Sequence, residues 1–156
     1  MQPQFEALKK FLEDHNISFR SMEHEPTHTS RESSAVRGSS LSQGVKAMVC
    51  ETKQGGMILA LIAADRKIDF RKLTALVGSK KLFLADPDKV FEKTGCRIGS
   101  VHPFGNLMGI PVLMEKTILE NDKVNFNVGL HTMTVRMDPK ELRKAINPVV
   151  ADLVRD

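Results

Sequence analysis

The chain of 156 residues contains no tryptophan and no tyrosine, so its eight phenylalanines are the whole Phe/Trp/Tyr content. Proteins that read single-stranded bases by stacking need aromatic platforms. Any contact with nucleic acid is therefore expected to fall mainly on phosphates. Cysteine is also scarce. Cys50 and Cys96 cannot build a disulfide framework or fill a four-ligand zinc site by themselves, and they read as two thiols in a reducing compartment. The longest near-apolar run, Met57 to Ala64, spans eight residues, against the roughly 20 that a membrane helix requires. Gln2, Pro3 and Gln4 lead into an amphipathic pattern rather than a basic region followed by an apolar one, which is not the layout of a secretory signal. Internal repeats, low-complexity tracts and long linkers are lacking. The expectation is one domain over residues 1–156, cytoplasmic, with no membrane contact and no cofactor.

What is present fits a packed globular chain: 41% hydrophobic residues and 27% charged residues of mixed sign. The net charge of +4 permits contact with nucleic acid without requiring it. Its distribution is uneven. Between Asp65 and Lys81 six cations (Arg66, Lys67, Arg71, Lys72, Lys80, Lys81) face two acids (Asp65, Asp69). This segment is either a solvated helix face or a row of contacts to a nucleic-acid backbone.

Periodicity orders the chain. Phe5, Leu8, Phe11 and Leu12 stand at helical spacing. Ile17 to Met22 reads as a strand ended by His24-Glu25-Pro26, and Thr29-Ser30-Arg31-Glu32 is a capping box for a short helix from Ser30 to about Arg37. After a small-residue loop, Val45 to Thr52 and Met57 to Ala63 read as strands joined by Gln54-Gly55-Gly56. The second is continuously apolar, as expected of a strand covered on both faces. Asp69 and Gly78 bracket a helix over Phe70 to Val77. Leu82 to Ala85 is a short strand. Asp86-Pro87 and Gly95 bracket a further helix. Val112 to Met114, Val124 to Asn127 and Thr132 to Met137 are three more strands, and Asp138-Pro139-Lys140-Glu141 opens a last helix. The pattern predicts an α+β fold: a single compact domain with a mixed, partly antiparallel curved sheet of about six to seven strands flanked by helices. The glycines at 95, 99, 105 and 109 do not have the spacing of a nucleotide-phosphate loop.

Three places have residues suited to chemistry. Lys46 shares a strand face with Met48 and Cys50; a lysine there either snorkels past an apolar edge or sits in a pocket as a cation for a charged substrate or a developing oxyanion. Gly99-Ser100-Val101-His102-Pro103-Phe104-Gly105 holds a proline between two glycines. Such a segment is either an ordinary connection or a stiff loop presenting backbone groups to a ligand. Asn127-Val128-Gly129-Leu130-His131 is a turn ending in a histidine, structural or functional. His24 and His28 have i, i+4 spacing, but Pro26 between them argues against a helix and hence against a metal pair. A metal-assisted hydrolase using His24, His28, His102 or His131 is accordingly the least favoured class. Ser39, Ser40 and Ser42 lack the Gly-x-Ser-x-Gly elbow of a serine nucleophile.

Taken together, His24-Glu25-Pro26, Val45 to Val49, Ala64 to Asp69, Leu84 to Pro87, Thr94-Gly95, Gly99 to Gly105 and Asn127-Val128-Gly129 occur in an order and spacing that resembles the YbaK/prolyl-tRNA-synthetase-associated family, the bacterial-type prolyl-tRNA editing domain. The likeness runs from about His24 to Ile146. It implies a free-standing, metal-independent aminoacyl-tRNA deacylase that hydrolyses the ester of a mischarged tRNA, tRNA-Pro or a related one carrying a small wrong amino acid. It also implies aminoacyl-tRNA as partner, transient contact at most with a synthetase, and a monomer or weak homodimer. Lys46 matches the family's essential strand lysine. Gly99, Ser100, Val101, His102, Pro103, Phe104 and Gly105 match the loop around the aminoacyl group, with Gly129 and His131 beside it. Arg66, Lys67, Arg71, Lys72, Lys80 and Lys81 then become tRNA contacts. Glu115 stands where the family commonly has Asp. The competing class is a non-catalytic module of the same fold that binds aminoacyl-tRNA or an amino acid.

Overall fold

The computed structural model describes residues 3–26, 35, 38 and 40–156. Local signals set most element ends. Helix α1 (Pro3–Asp14) buries Phe5, Leu8 and Leu12. Helix α2 (Phe70–Val77) starts where the Asp69 carboxylate accepts from the Arg71 and Lys72 amides, and it ends at Gly78 in the left-handed region, φ 74°. Helix α3 (Pro87–Thr94) is capped by Asp86 and closed by Gly95, φ 71°. Helix α4 (Pro139–Ile146) is capped by Asp138 and closed by Asn147, φ 48°. The short helix expected over Ser30 to Arg37 falls almost wholly outside the described residues.

Eight strands stand among the described residues: β1 (Arg20–Glu23), β2 (Val45–Thr52), β3 (Met57–Ala63), β4 (Leu82–Leu84), β5 (Val112–Glu115), β6 (Val124–Asn127), β7 (Met133–Met137) and β8 (Val149–Ala151). The fold is α+β with mixed pairing, as expected, but the strands form two sheets rather than one. One has the order β4-β2-β3-β5-β8 and the other β1-β7-β6. In the larger sheet β2 pairs antiparallel with β3 and β4, while β5 lies parallel to β3 and β8. The smaller sheet is antiparallel throughout. A lone parallel bridge, Gly44 to Asn125, joins the two. Strand β8 was not expected: its three residues are too few to display alternation, and its pairing with β5 makes it a strand.

One core lies under both sheets. It takes Val45 and Val49 from β2, Leu59 and Leu61 from β3, and Val124, Phe126, Val135 and Met137 from the smaller sheet. Helices α1, α3 and α4 close it with Leu8, Val90 and Leu142. The opposite face of the larger sheet carries a second cluster, Cys50, Ile58, Ala60 and Ile62 packed on Leu73 of α2 and on Leu153 and Val154. Strand β3 therefore feeds a core on each face, which is why its sequence is apolar without alternation.

The C-terminal segment straps α2 to the larger sheet. The buried Glu115 carboxylate accepts from the Leu153 amide at 3.0 Å, the Thr117 amide at 2.7 Å and the Thr117 hydroxyl. The Asp69 amide donates to the Leu153 carbonyl at 2.8 Å. Lys72 Nζ donates to the Val154 carbonyl at 2.7 Å and to the Asp152 carboxylate at 3.0 Å. No helix among the described residues is long and apolar enough to cross a membrane.

Residues Ser100 to Gly105 are buried, and Val101, Phe104 and Ile110 belong to the core. Phe104 is fully buried between Phe11 and Phe126, at ring-centroid distances of 5.8 and 6.0 Å. His102, 2% exposed, turns its Nδ1 back to accept from the Phe104 amide at 3.1 Å. Burial pushes its pKa down to about 4, so the ring is neutral. A Cβ on Gly105 would lie 2.3 Å from the Ile110 carbonyl oxygen and 2.4 Å from Val112 Cγ2.

Two outcomes follow from this packing. Gly105→Ala must displace backbone rather than a flexible side chain, and urea titration is expected to show a loss of about 1–3 kcal/mol, as for an overpacked core. The His102 imidazole is held neutral in the fold but charges near pH 6.5 when unfolded. Its contribution is therefore intact above pH 6.5 and is lost as pH falls towards 4, by roughly 3 kcal/mol at most. Wild type and His102→Asn, compared by denaturant titration at pH 7.5, 5.5 and 4.5, should diverge in that window, the variant losing less.

Candidate active site

The bridge between the sheets is where polar side chains gather. In β6, Val124 and Phe126 face the shared core, so Asn125 and Asn127 face away from it. In β7, Met133, Val135 and Met137 are core residues, so Thr134 and Arg136 face away. The register aligns these groups in rows: Arg20, Arg136 and Asn125 across the three strands, then Met22, Thr134 and Asn127. In β2, Val45 and Val49 are core residues, so Lys46 too lies on the face away from the core. The parallel bridge sets Gly44 against Asn125. Two residues further along each segment stand Lys46 and Asn127, on the faces turned away from the core.

The small-residue loop positions this junction. Ser40 opens a tight turn over Leu41–Gln43, its amide donating to Gln43 Oε1 at 3.0 Å. The Ala64 amide donates to the Gly44 carbonyl at 2.8 Å, fixing Gly44 between β3 and β6. Lys46 is half-buried, opposite Ile62 in the sheet. It makes no ion pair or hydrogen bond with a described residue. Its strand-face neighbours Met48 and Cys50 and its cross-strand partner Ile62 are apolar, a setting for a lysine stem with the charge at its edge.

The Gly99 bend forms the adjacent wall. Asn127 Nδ2 donates to the Gly99 carbonyl at 3.1 Å, and the Gly129 amide donates to the Ser100 carbonyl at 2.6 Å. Gly99 has φ +85°, and a Cβ there would stand 3.2 Å from His131 Cε1. The bend and the turn at residues 127–131 are thus one unit, with Gly99 exposed and Gly129 and His131 half-buried. The remaining loop residues lie inside. Ser100 is fully buried with its hydroxyl donating to the Arg97 carbonyl at 2.7 Å; Val101, His102, Pro103, Phe104 and Gly105 are buried behind it. They set the position of the bend by packing.

Sequence reasoning named His24 only in the His24-Glu25-Pro26 motif and as a least-favoured metal ligand, and it missed Asn125, Thr134 and Arg136 on this face. His24 lies 2.8 Å from Thr134 Oγ1 through Nε2 and 2.8 Å from the Glu25 carbonyl through Nδ1. In the neutral ring Nδ1–H donates to the carbonyl, and Nε2 accepts from the Thr134 hydroxyl. Asn125 and Thr134 are fully buried. The signal that could have found them is the period-two alternation of Asn125, Asn127, Thr134 and Arg136 with core residues, a polar row within otherwise apolar strands.

The basic segment divides. Arg66 and Lys67 leave β3 just past Ala63, the residue paired with Val45, and so stand at the Lys46 end of the sheet. Lys80 and Lys81 precede β4, which pairs with β2 near Thr52, about 20 Å away along the strand. Arg71 is exposed on α2, and Lys72 is engaged with the C-terminal segment. Burial pushes the Cys50 thiol up to about 12 and also raises Cys96, so neither cysteine offers a thiolate. Among the described residues no group of three or more His, Cys, Asp or Glu side chains is placed to hold a metal ion. His28 lies outside the described residues.

The arrangement offers a cation, a side-chain amide and a tethered backbone bend near one junction of the two sheets. Such a set can hold a carbonyl group and offset negative charge that develops on its oxygen.

The model of the aminoacyl-tRNA editing domain family matches residues 24–145. The "Multifunctional Ser/Thr-tRNA deacylase ProXp-y" of Escherichia coli (strain K12) is 30% identical over 158 aligned positions, covering 96% of this chain and 92% of that protein. The "Prolyl-tRNA editing protein ProX" of Acetoanaerobium sticklandii is 25% identical, covering 90% and 89%. A solved structure described as a candidate trans-editing enzyme for prolyl-tRNA synthetase superposes with a TM-score of 0.88 at 29% identity, covering 100% of this chain and 99% of its own. The chain belongs to the aminoacyl-tRNA editing domain family.

Proposed function

We propose that this protein is a trans-editing deacylase that hydrolyses the ester linking a wrong, small amino acid to the 3′-terminal adenosine of a tRNA, tRNA-Pro or a related one. Family membership and the names of the full-length relatives support the class of reaction. The observation that supports the assignment to a site is the Gly44–Asn125 bridge, two residues before Lys46 on one segment and two before Asn127 on the other, whose amide holds the Gly99 bend. An aminoacyl ester is already activated. Its hydrolysis requires a positioned water and stabilisation of the oxyanion more than a covalent nucleophile.

In this reading the Lys46 ammonium offsets charge on the ester carbonyl oxygen or on the neighbouring ribose oxygens. The Gly99 peptide and the turn through Gly129 to His131 bound the aminoacyl pocket. Arg66 and Lys67, at the same end of the sheet, contact the acceptor strand, and no metal takes part. The protein works in the cytoplasm on aminoacyl-tRNA, as a monomer or weak homodimer, with transient contact at most with a synthetase. The relative from Escherichia coli is named for Ser- and Thr-tRNA, so seryl and threonyl esters head the list of substrates to try.

A panel of mischarged tRNAs tests the reading directly. Loss of the ester from at least one is expected at micromolar enzyme. Tight binding with every ester left intact would replace the deacylase with a binding module. Lys46→Ala is expected to lower kcat/KM by about 10²–10³-fold, the usual cost of removing one oxyanion-stabilising donor, with an unchanged circular dichroism spectrum and melting midpoint. Retained activity would remove Lys46 from the mechanism. Gly99→Ala forces a side chain into φ +85° and against His131. The shifted bend should lower deacylation by about 10²-fold through misplacement of the substrate, with a loss of about 1–2 kcal/mol in global stability from the left-handed backbone.

A further inference from the structure

We infer that β4 is the contact edge of a homodimer in which two copies join their larger sheets antiparallel, with Phe83 of each at the two-fold axis; this goes beyond the deacylase reading and does not depend on it. Strand β4 ends the larger sheet, with no described strand on its outer side. The ladder fixes which of its backbone groups face outward. The Ala85 amide donates to the Val49 carbonyl, and Phe83 is the partner of Glu51, so Phe83 and Ala85 turn their groups towards β2. Leu82 and Leu84 therefore present N–H and C=O to the outside. Such an edge is a template for another chain unless charge or proline blunts it. Strand β1 carries Arg20 and Glu23, and β8 is entered through Pro148, but β4 itself has neither device. Its side chains are apolar and open, Phe83 40% and Leu84 48% exposed. Leu84 lies on the α2 face of the sheet, as the clustered Leu82 does, and Leu76 of α2 is exposed there too.

Charge selects a second copy as the occupant. Lys80 and Lys81 precede the strand, Asp86 and Asp88 follow it, and all are exposed. An antiparallel pair of identical strands sets the basic end of each against the acidic end of the other. The hydrogen bonds then choose the register, because outward groups must meet outward groups. Leu82 pairs with the partner's Leu84 and Leu84 with the partner's Leu82. Phe83 falls opposite the partner's Phe83 in a non-hydrogen-bonded pair, where side chains approach most closely. Lys80 comes level with the partner's Asp86. The neighbouring in-phase registers set Lys81 against the partner's Phe83, or Leu82 against the partner's Asp86, and lose this match. Both ends have capacity for the contact. Asp86 takes the Asp88 amide on one oxygen at 2.9 Å, and Lys80 makes no ion pair or hydrogen bond with a described residue. An edge of three residues buries little, so the dimer is a weak one.

Sedimentation of the full chain across the micromolar to millimolar range tests this. Wild type is expected to pass reversibly from monomer to dimer. Phe83→Lys should raise the dissociation constant about tenfold, by removing an aromatic pair and setting like charges opposite each other. Lys80→Glu should also raise it about tenfold, since the two-fold axis repeats each lost ion pair. Both positions are exposed, so the circular dichroism spectrum should be unchanged. Phe83→Cys reports the register. Mild oxidation should link it to its counterpart across the axis, whereas Leu84→Cys, displaced from its own counterpart, should stay unlinked. Cys50 and Cys96 are buried and should not contribute. A monomer at every concentration, a dimer indifferent to both charge substitutions, or equal cross-linking at 83 and 84 overturns the interface. So does a monomer whose binding of uncharged tRNA is weakened by Lys80→Glu, because the cations then serve nucleic acid instead.

Discussion

The bridge between Gly44 and Asn125 is the contact on which the site depends. Without it the molecule is two sheets, each with an edge at this point. With it, the start of β2 is fixed in register against β6, and one core extends beneath both sheets. The consequence appears on the opposite face. A strand's alternation carries Lys46, Asn125, Asn127, Thr134 and Arg136 to the same side, because their neighbours Val45, Phe126, Val135 and Met137 are committed to the core. The hydrophobic effect thereby places the polar groups: any one-residue slip would bury the lysine and expose the valines.

The bend at Gly99 depends on the same junction from the other direction. Its side chains from Ser100 to Gly105 are turned inward, and Phe104 is packed among Phe11 and Phe126. What remains at the surface is backbone, held by Asn127 Nδ2 and the Gly129 amide. A pocket wall made of tethered peptide groups is stiffer than one made of side chains, since it has no rotamers to lose or gain. Stiffness matters for an editing site. A methyl or methylene excess is worth only about 1–3 kcal/mol of discrimination, and a wall that yields gives up even that.

Much of the fold was legible in the sequence because its element ends are written in short-range chemistry. Asp69 with Gly78, Asp86-Pro87 with Gly95, and Asp138-Pro139 delimit three helices where those residues predict them. The double-sided burial of β3 could likewise be read from its unbroken apolar run. What escaped depends on long-range pairing. Strand β8 and the division into two sheets have no local signature, since each is decided by which distant strand becomes a neighbour. Lys46 could be singled out but not located, because its setting is supplied by β6, some 80 residues away. Asn125, Thr134 and Arg136 carry their meaning only after the register aligns them. In the loop the reverse holds: its composition drew attention to every residue, whereas burial divides it into an exposed bend and a packed support.

Lys46 sits where two environments meet, and that position explains how a flexible side chain can act at a defined point. On its own strand face the neighbours are Met48 and Cys50, and across the sheet Ile62, all part of or packed on the cluster beneath α2. On its other flank stands the polar row of β6 and β7. An aliphatic stem laid on the first surface would lose rotamer freedom there and leave the ammonium free to meet the second. No described carboxylate pairs with it, whereas Lys72, in the same chain, has its charge taken up by Asp152, Asp156 and the Val154 carbonyl. The contrast is between a cation used to hold the protein together and one whose charge no described carboxylate takes up. An acid placed beside Lys46 would anchor it better and would cancel its field.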